Sequence, residues 1–179
     1  MIPQEMKTGT IRPLQPQSSP AMEYQEPVLH KVATKIVVDG PEFVPKYQTD
    51  LAACCDLVAN IEPDAAGNKR VSMPHRATVV IDCGFSMELP SGYRALVSAR
   101  SGWANKGLIV TNGPGVIDPD YRGRVMCIVT NVGKQIIVIN HLDRIAQMAI
   151  EPIYTFSWVL AKSLSETDRG TGGLGSTGV

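Results

Sequence analysis

Short runs of β-branched and aromatic residues, cut every few positions by Gly, Pro, Asn or Asp, constrain this chain to fold as sheet. The runs are KIVVD (35–39), RATVVIDCGF (76–85), GYRALVSA (92–99), RVMCIVTN (124–131), KQIIVIN (134–140) and RIAQMAIEPI (144–153), each of strand length and strand composition. MELPSG (87–92) and IEPDAAGNKR (61–70) read as turn-rich connections, and GPEFVPKYQTD (40–50) as a loop with two prolines and a glycine. Alternation along the runs is imperfect, and several are apolar on both faces. That pattern suits a two-sheet barrel or sandwich whose second face is buried by self-association. One stretch breaks the rule: SGWANK (101–106) reads as a short helix with Ser101 as N-cap and Gly107 as the stop. The predicted fold class is all-β, a compact, distorted jelly-roll or β-barrel-like subunit with one short helix.

At 179 residues the chain holds one domain with a real core and not two. Residues 1–30, which include RPLQPQSSP, have too few apolar anchors to offset their ordering entropy, and read as a flexible arm. The body is expected over 31–165 and a glycine-rich tail over 166–179. Seventeen basic residues balance seventeen acidic ones, so no global field draws in nucleic acid or an anionic membrane. Neither a signal-peptide succession nor a run approaching ~18 to 20 apolar residues is present, so a soluble cytoplasmic protein is expected, in the host cytoplasm if the gene is viral or phage-borne. Cys54, Cys55, Cys83 and Cys127 form no CxxC pair, and His30, His75 and His141 are scattered. Reduced core thiols and no protein-ligated transition metal are expected.

The chemistry concentrates around GPGVIDPDYRGR (113–124). Val116 and Ile117 read as a short strand, Pro119 and Asp120 as a turn, and Tyr121, Arg122 and Gly123 as the return into the apolar run VMCIV, making a hairpin. Asp118 at its tip either hydrogen-bonds its own turn or orients a water beside a polar substrate. Asp56, inside LAACCDLVA (51–59), is either a paired structural acid or part of a site. Arg100 with Ser101 and Gly102 would surround an anion with a cation, a hydroxyl and helix amides, or else Arg100 makes a surface ion pair. Gln147 reads equally as a strand-edge hydrogen bond. RGTGGLGSTG (169–178) has five glycines in ten positions. It is either a plain linker or, led by Arg169, a cradle of backbone amides for phosphate.

Taken together, AACCDLVA, ARSGWANKGL, GPGVIDPDYRGR, DRIAQ and RGTGGLGSTG resemble, in order and near spacing, the five motifs of the trimeric deoxyuridine triphosphatases, over about residues 35–178. The resemblance implies a homotrimer whose active sites draw motifs from more than one subunit. It implies hydrolysis of dUTP to dUMP and pyrophosphate, which supplies dUMP for thymidylate synthesis and limits uracil in DNA. Asp118 would activate or orient the water attacking the α-phosphorus. Arg100, Ser101, Gly102, Gln147, Arg169, Gly173 and Ser176 would hold the phosphates, with the tail closing over them.

Uracil would be read by Asn112 and by the main chain at Gly115, Val116 and Ile117, with Leu174 covering the base. Cytosine reverses the donor and acceptor and would leave polar groups unpaired at ~1 to 3 kcal/mol each; thymine would clash through its methyl. Tyr121 would lie beneath the deoxyribose and exclude a ribose 2′-hydroxyl. Mg2+ would be bound mainly through substrate phosphates with no direct protein ligand, and Asp56 would stand in its outer shell or orient an arginine.

The same fold carries the deoxycytidine triphosphate deaminases, in which a catalytic glutamate stands ten positions after the motif Asp. That position is Ile128 here. A nucleotide-sensing module that engages a regulatory protein is the other alternative. Three departures from the family pattern stand out: Leu174 replaces the usual aromatic or histidine of the tail, Cys54 a common glycine, and the stretch from Arg100 to Asp118 is one residue shorter than in some members.

Overall fold

The computed structural model describes residues 31–173. Calls that fall on residues 1–30, on Leu174 and on Ser176 lie outside the described residues. Among the described residues ten strands and one α-helix follow in order, with a 3-10 turn at Pro41–Phe43: β1 Lys35–Val38, β2 Cys55–Val58, β3 Arg70–Met73, β4 Thr78–Glu88, β5 Tyr93–Ala99, α1 Ser101–Asn105, β6 Leu108–Val110, β7 Gly115–Ile117, β8 Arg124–Asn131, β9 Ile137–Asn140 and β10 Arg144–Pro152. The all-β class and the single short helix are as expected.

Two four-stranded sheets, ordered β1-β4-β8-β6 and β2-β10-β5-β7, and a two-stranded ladder of β3 with β9 make the body. All the ladders are antiparallel. The core is built from inward positions of both large sheets: Leu57, Ile145 and Met148 from one, Ile81, Cys83, Phe85, Val125 and Val129 from the other. Burying a side chain of this size stabilises the fold by about 1.5 to 3 kcal/mol. The alternation in β8, with Val125, Cys127, Val129 and Asn131 buried and their neighbours not, is the period-two signature of a strand with one core face. Asn131 is admitted to the interior because its amide is fully used: Nδ2 donates to the Met73 and Gln135 carbonyls, and Oδ1 accepts from the Gly133 amide.

Three expectations change. The three- and four-residue strands β2, β3 and β6 do not stand out in the sequence, and β3 begins inside what reads as a connection. Ser101 is the first helical residue; the N-cap is Arg100, extended at φ −78° and ψ 141°, without a side-chain cap bond. Gly107 does end the helix, at φ +92°, a left-handed conformation suited to glycine. The third change is topological. β7 and β8 do not pair with each other: Ile117 faces Ala95 of β5, while β8 pairs with β4 and β6. Asp118 to Tyr121 does form the turn, closed by the Tyr121 amide on the Asp118 carbonyl at 3.2 Å. Pro119 has no N–H to continue a ladder, so the chain crosses from one sheet to the other there.

Candidate active site

Two groups of side chains are organised at opposite ends of β5. The first lies where β2, β10 and β5 run side by side. Gln147 faces Asp56 on one flank and Ser98 on the other, and Arg100 follows the last residue of β5. Asp56 is only 8% exposed, and a buried carboxylate needs partners. It has two: its Oδ1 lies 2.7 Å from Arg100 Nε and its Oδ2 3.1 Å from Arg144 Nη1. The Arg144 carbonyl in turn accepts Arg100 Nη1 at 3.0 Å and the indole Nε1 of Trp103 at 2.8 Å. Gln147 Nε2 makes a long 3.4 Å bond to the Ala99 carbonyl, and Ser101 and Gly102 are exposed beside it. The expected trio of Asp56, Arg100 and Gln147 is therefore brought together, with Arg100 held in place by an acid.

Arg144 and Trp103 were passed over in the sequence although they stand inside DRIAQ and ARSGWANKGL. Their contacts depend on partners distant in the chain, which no local pattern reports.

The second group surrounds a cavity of about 180 Å3 lined by Val116, Ile117, Asp118, Tyr121, Arg124, Val125 and Met126. Asp118 and Val116 are exposed on it and Ile117 is half-buried. Gly115 is buried, and a Cβ there would stand 3.2 Å from Asn112 Nδ2, so the Asn112 amide rests against the main chain of the loop. The Tyr121 ring folds back over Gly123, where any Cβ would overlap it, and its hydroxyl donates to the Arg124 carbonyl at 3.1 Å. Arg122 Nη1 braces the turn by donating to the Pro119 and Tyr121 carbonyls at 2.7 and 3.0 Å. An acid, an aromatic plate and main-chain polar groups thus face one space.

The two groups are apart within one chain. Ile117 pairs with Ala95 and Asp118 lies beyond it, whereas Arg100 is past the other end of β5. At ~3.3 Å per strand residue the separation is roughly 20 Å. The described part of the tail, to Gly173, joins neither: Arg169 Nε donates to the Gly172 carbonyl at 3.0 Å, inside turns closed by the Gly170 and Gly172 amides, and Arg169 and Gly173 are exposed.

The sequence profile of the dUTPase family matches residues 44–178. This chain belongs to the dUTPase family. The deoxyuridine 5′-triphosphate nucleotidohydrolase of Desulfotalea psychrophila is 41% identical over 143 residues, covering 76% of this chain and 87% of that protein. Its counterpart from Desulfitobacterium hafniense is 44% identical over 138 residues, with 76% and 87% covered. Among solved structures, a variant of the Staphylococcus bacteriophage 80alpha dUTPase with dUpNHpp superposes with a TM-score of 0.69 at 21% identity, over 82% of this chain and 99% of that one. The dUTPase of phage phi11 of S. aureus, in a variant that coordinates a structural Mg(II) ion, does so with a TM-score of 0.63 at 19% identity, over 75% and 99%. At those identities the structures establish the shared fold.

For a dUTPase-family chain the remaining question is what could hold a cation. Among the described residues no three His, Cys, Asp or Glu side chains converge. Both oxygens of Asp56 are already engaged by guanidinium groups.

Proposed function

We propose that this chain hydrolyses dUTP to dUMP and pyrophosphate as a homotrimer in which the Asp118 cavity of one subunit faces the Arg100 cluster of another. The dUTP reading and the homotrimer rest on membership of the dUTPase family, and the sharing of a site between subunits rests on the separation along β5. A carboxylate and a guanidinium that serve one phosphate must both reach it, and ~20 Å within a chain forbids that. Apposing the two ends across subunits removes the conflict.

Asp118 accepts a hydrogen bond from the attacking water and takes its proton as the oxygen bonds to the α-phosphorus. The bond from that phosphorus to the bridging oxygen breaks, and pyrophosphate leaves. Arg100, steadied by Asp56, binds the phosphate oxygens with Gln147, Ser101 and Gly102. No protein side chain would bind Mg2+ directly; arriving on the substrate's phosphates it would supply charge neutralisation of the triphosphate, and Asp56 would hold its waters or orient Arg100. Arg169, Gly173, Leu174 and Ser176 belong to a tail, 166–179, that closes over the site, with 31–165 as the catalytic body and 1–30 as an arm. Asn112 and the main chain of Gly115, Val116 and Ile117 read uracil, and Tyr121 lies under the deoxyribose. The reaction takes place in the cytoplasm. Deamination is disfavoured because Ile128, at the deaminase glutamate position, is an apolar residue facing Val80 across β4 and β8.

Pyrophosphate release measured with dUTP, dCTP, dTTP and UTP tests this. Turnover of dUTP well above that of the other three is expected, and equal rates on dCTP and dTTP would refute the base reader. Asp118→Asn is expected to bind a non-hydrolysable dUTP analogue normally while turnover falls by about 10²- to 10⁴-fold.

A further inference from the structure

The Asp118 cavity has one wall whose construction the reaction does not explain. Arg124 opens β8, and its guanidinium is gripped from two sides at once, by Asp82 of β4 and by Asp39 just after β1. Its Nε and Nη2 donate to Asp82 Oδ2 at 3.1 and 2.7 Å, Nη1 donates to Asp39 Oδ1 at 2.7 Å, and Nη2 also pairs with Asp39 Oδ2. Both acids are themselves fixed. Asn60 Nδ2 donates to Asp39 Oδ2 at 2.9 Å, and the Gly84 amide to Asp82 Oδ1 at 2.9 Å. The Asp39 amide is tied to the Gly84 carbonyl at 3.0 Å.

These groups are partly exposed, and surface ion pairs contribute little to stability. Their value lies in where they are. The β4–β8 ladder slips between the pairs Asp82–Met126 and Ser86–Arg124, so regular pairing does not fix the start of β8. That start includes the Arg124 carbonyl, which accepts the Tyr121 hydroxyl. A planar guanidinium held bidentately by both oxygens of Asp39 and by two nitrogens on Asp82 Oδ2 supplies the rigidity that the interrupted ladder lacks.

The geometry points to the Asp39–Arg124–Asp82 clamp as the positioning device for Tyr121, and through it as a determinant of deoxyribose over ribose. The inference rests on the dUTP reading of the cavity. Tyr121 can exclude a 2′-hydroxyl only if its ring cannot retreat, and the ring is fixed by Gly123 beneath it and the Arg124 carbonyl at its tip. Release of Arg124 frees that carbonyl, and the plate under the sugar gains room.

The test compares kcat/KM for dUTP and UTP in the full-length protein and in Asp39→Asn, Arg124→Leu, Tyr121→Phe and the double variant Arg124→Leu with Tyr121→Phe. The preference for dUTP is expected to fall about tenfold in each single variant, with KM for dUTP rising more than kcat falls. The double variant should be no worse than either single one, because both remove the same contact. Arg124→Lys, which keeps the charge, should recover part of the preference. Should Arg124→Leu fail to fold, Asp39→Asn with Tyr121→Phe makes the same cycle. A preference unchanged in Asp39→Asn and Arg124→Leu while dUTP is still turned over, or effects that simply add, would overturn the clamp and leave the dUTP reading standing. Failure of the unsubstituted protein to hydrolyse dUTP would overturn both.

Discussion

Asp56 and Arg100 form the tightest link of the cluster at the end of β5, with Oδ1 and Nε 2.7 Å apart and the acid's side chain only 9% exposed. A carboxylate so placed fixes the arginine's direction before any substrate arrives, and the second bond, to Arg144, keeps the acid from turning. Replacing Asp56 by Ala leaves two guanidinium groups close together with no counter-charge. Stability is expected to fall by about 1 to 3 kcal/mol, and KM for dUTP to rise about tenfold while kcat holds within a few-fold. Urea denaturation and steady-state kinetics read the two effects separately.

Trp103 contributes a single directed contact to the same cluster, its indole N–H on the Arg144 carbonyl at 2.8 Å. Phenylalanine keeps most of the ring's packing and loses only the donor. Trp103→Phe is expected to cost about 1 kcal/mol of stability and to raise KM for dUTP several-fold, with the dUTP to UTP preference untouched. That last point separates it from the clamp at the other end of β5.

Acid sensitivity follows from three exposed carboxyls, of which Asp64 is held below the usual carboxylate range by hydrogen bonds from Asn68. The hydrogen bond from Arg124 holds Asp39 below the usual carboxylate range, and Lys35 does the same for Glu88. A carboxyl whose pKa is lower folded than unfolded adds stability above the unfolded value. That stability is lost as pH falls through the folded value. With unfolded values of ~3.9 for Asp and ~4.3 for Glu, the thermal midpoint should drop as pH is lowered below ~4. Asp39→Asn should flatten that drop when melting is followed between neutral and acid pH.

Thiol reactivity should be uneven. Burial pushes the Cys55 thiol up to about 11, and the Cys83 thiol is raised by its contact with Cys127, 3.3 Å away, and by burial. Thiolates are the reactive form. Cys54 is half-buried where Cys55, Cys83 and Cys127 are buried. Brief alkylation of the native protein near pH 8 is expected to label Cys54 alone, and denaturant to expose the other three, as mass spectrometry would count them.

Legibility of the sequence varied with the range of the interaction. Strands such as β4, β5 and β8 were evident because their β-branched runs are long and bounded by turn residues. CDLV, RVSM and LIV were not, since they are short and their neighbours in LAACCDLVA, IEPDAAGNKR and ARSGWANKGL are not strand-like. The turn at Asp118 was legible from Pro119 and its neighbours, yet local turn chemistry fixes only where the chain reverses. The pairing of β7 with β5 is decided by packing between sheets. Asp56 was readable as either a paired acid or a site residue, and its two arginines come from α1's threshold and from β10. The acids that grip Arg124 lie on β4 and just after β1, equally remote. Side chains whose partners are far along the chain were the ones that sequence reasoning missed.

The apposition of the two ends of β5 across subunits is tested most directly by mixing two inactive proteins. Asp118→Asn and Arg100→Ala are unfolded together and refolded as mixed assemblies, and dUTP hydrolysis is compared with that of each parent. If each site takes Asp118 from one subunit and Arg100 from another, random mixing at equal amounts restores about a quarter of the unsubstituted activity. Activity no greater than the average of the two parents would contradict the account, because it would place both residues of a working site in the same chain.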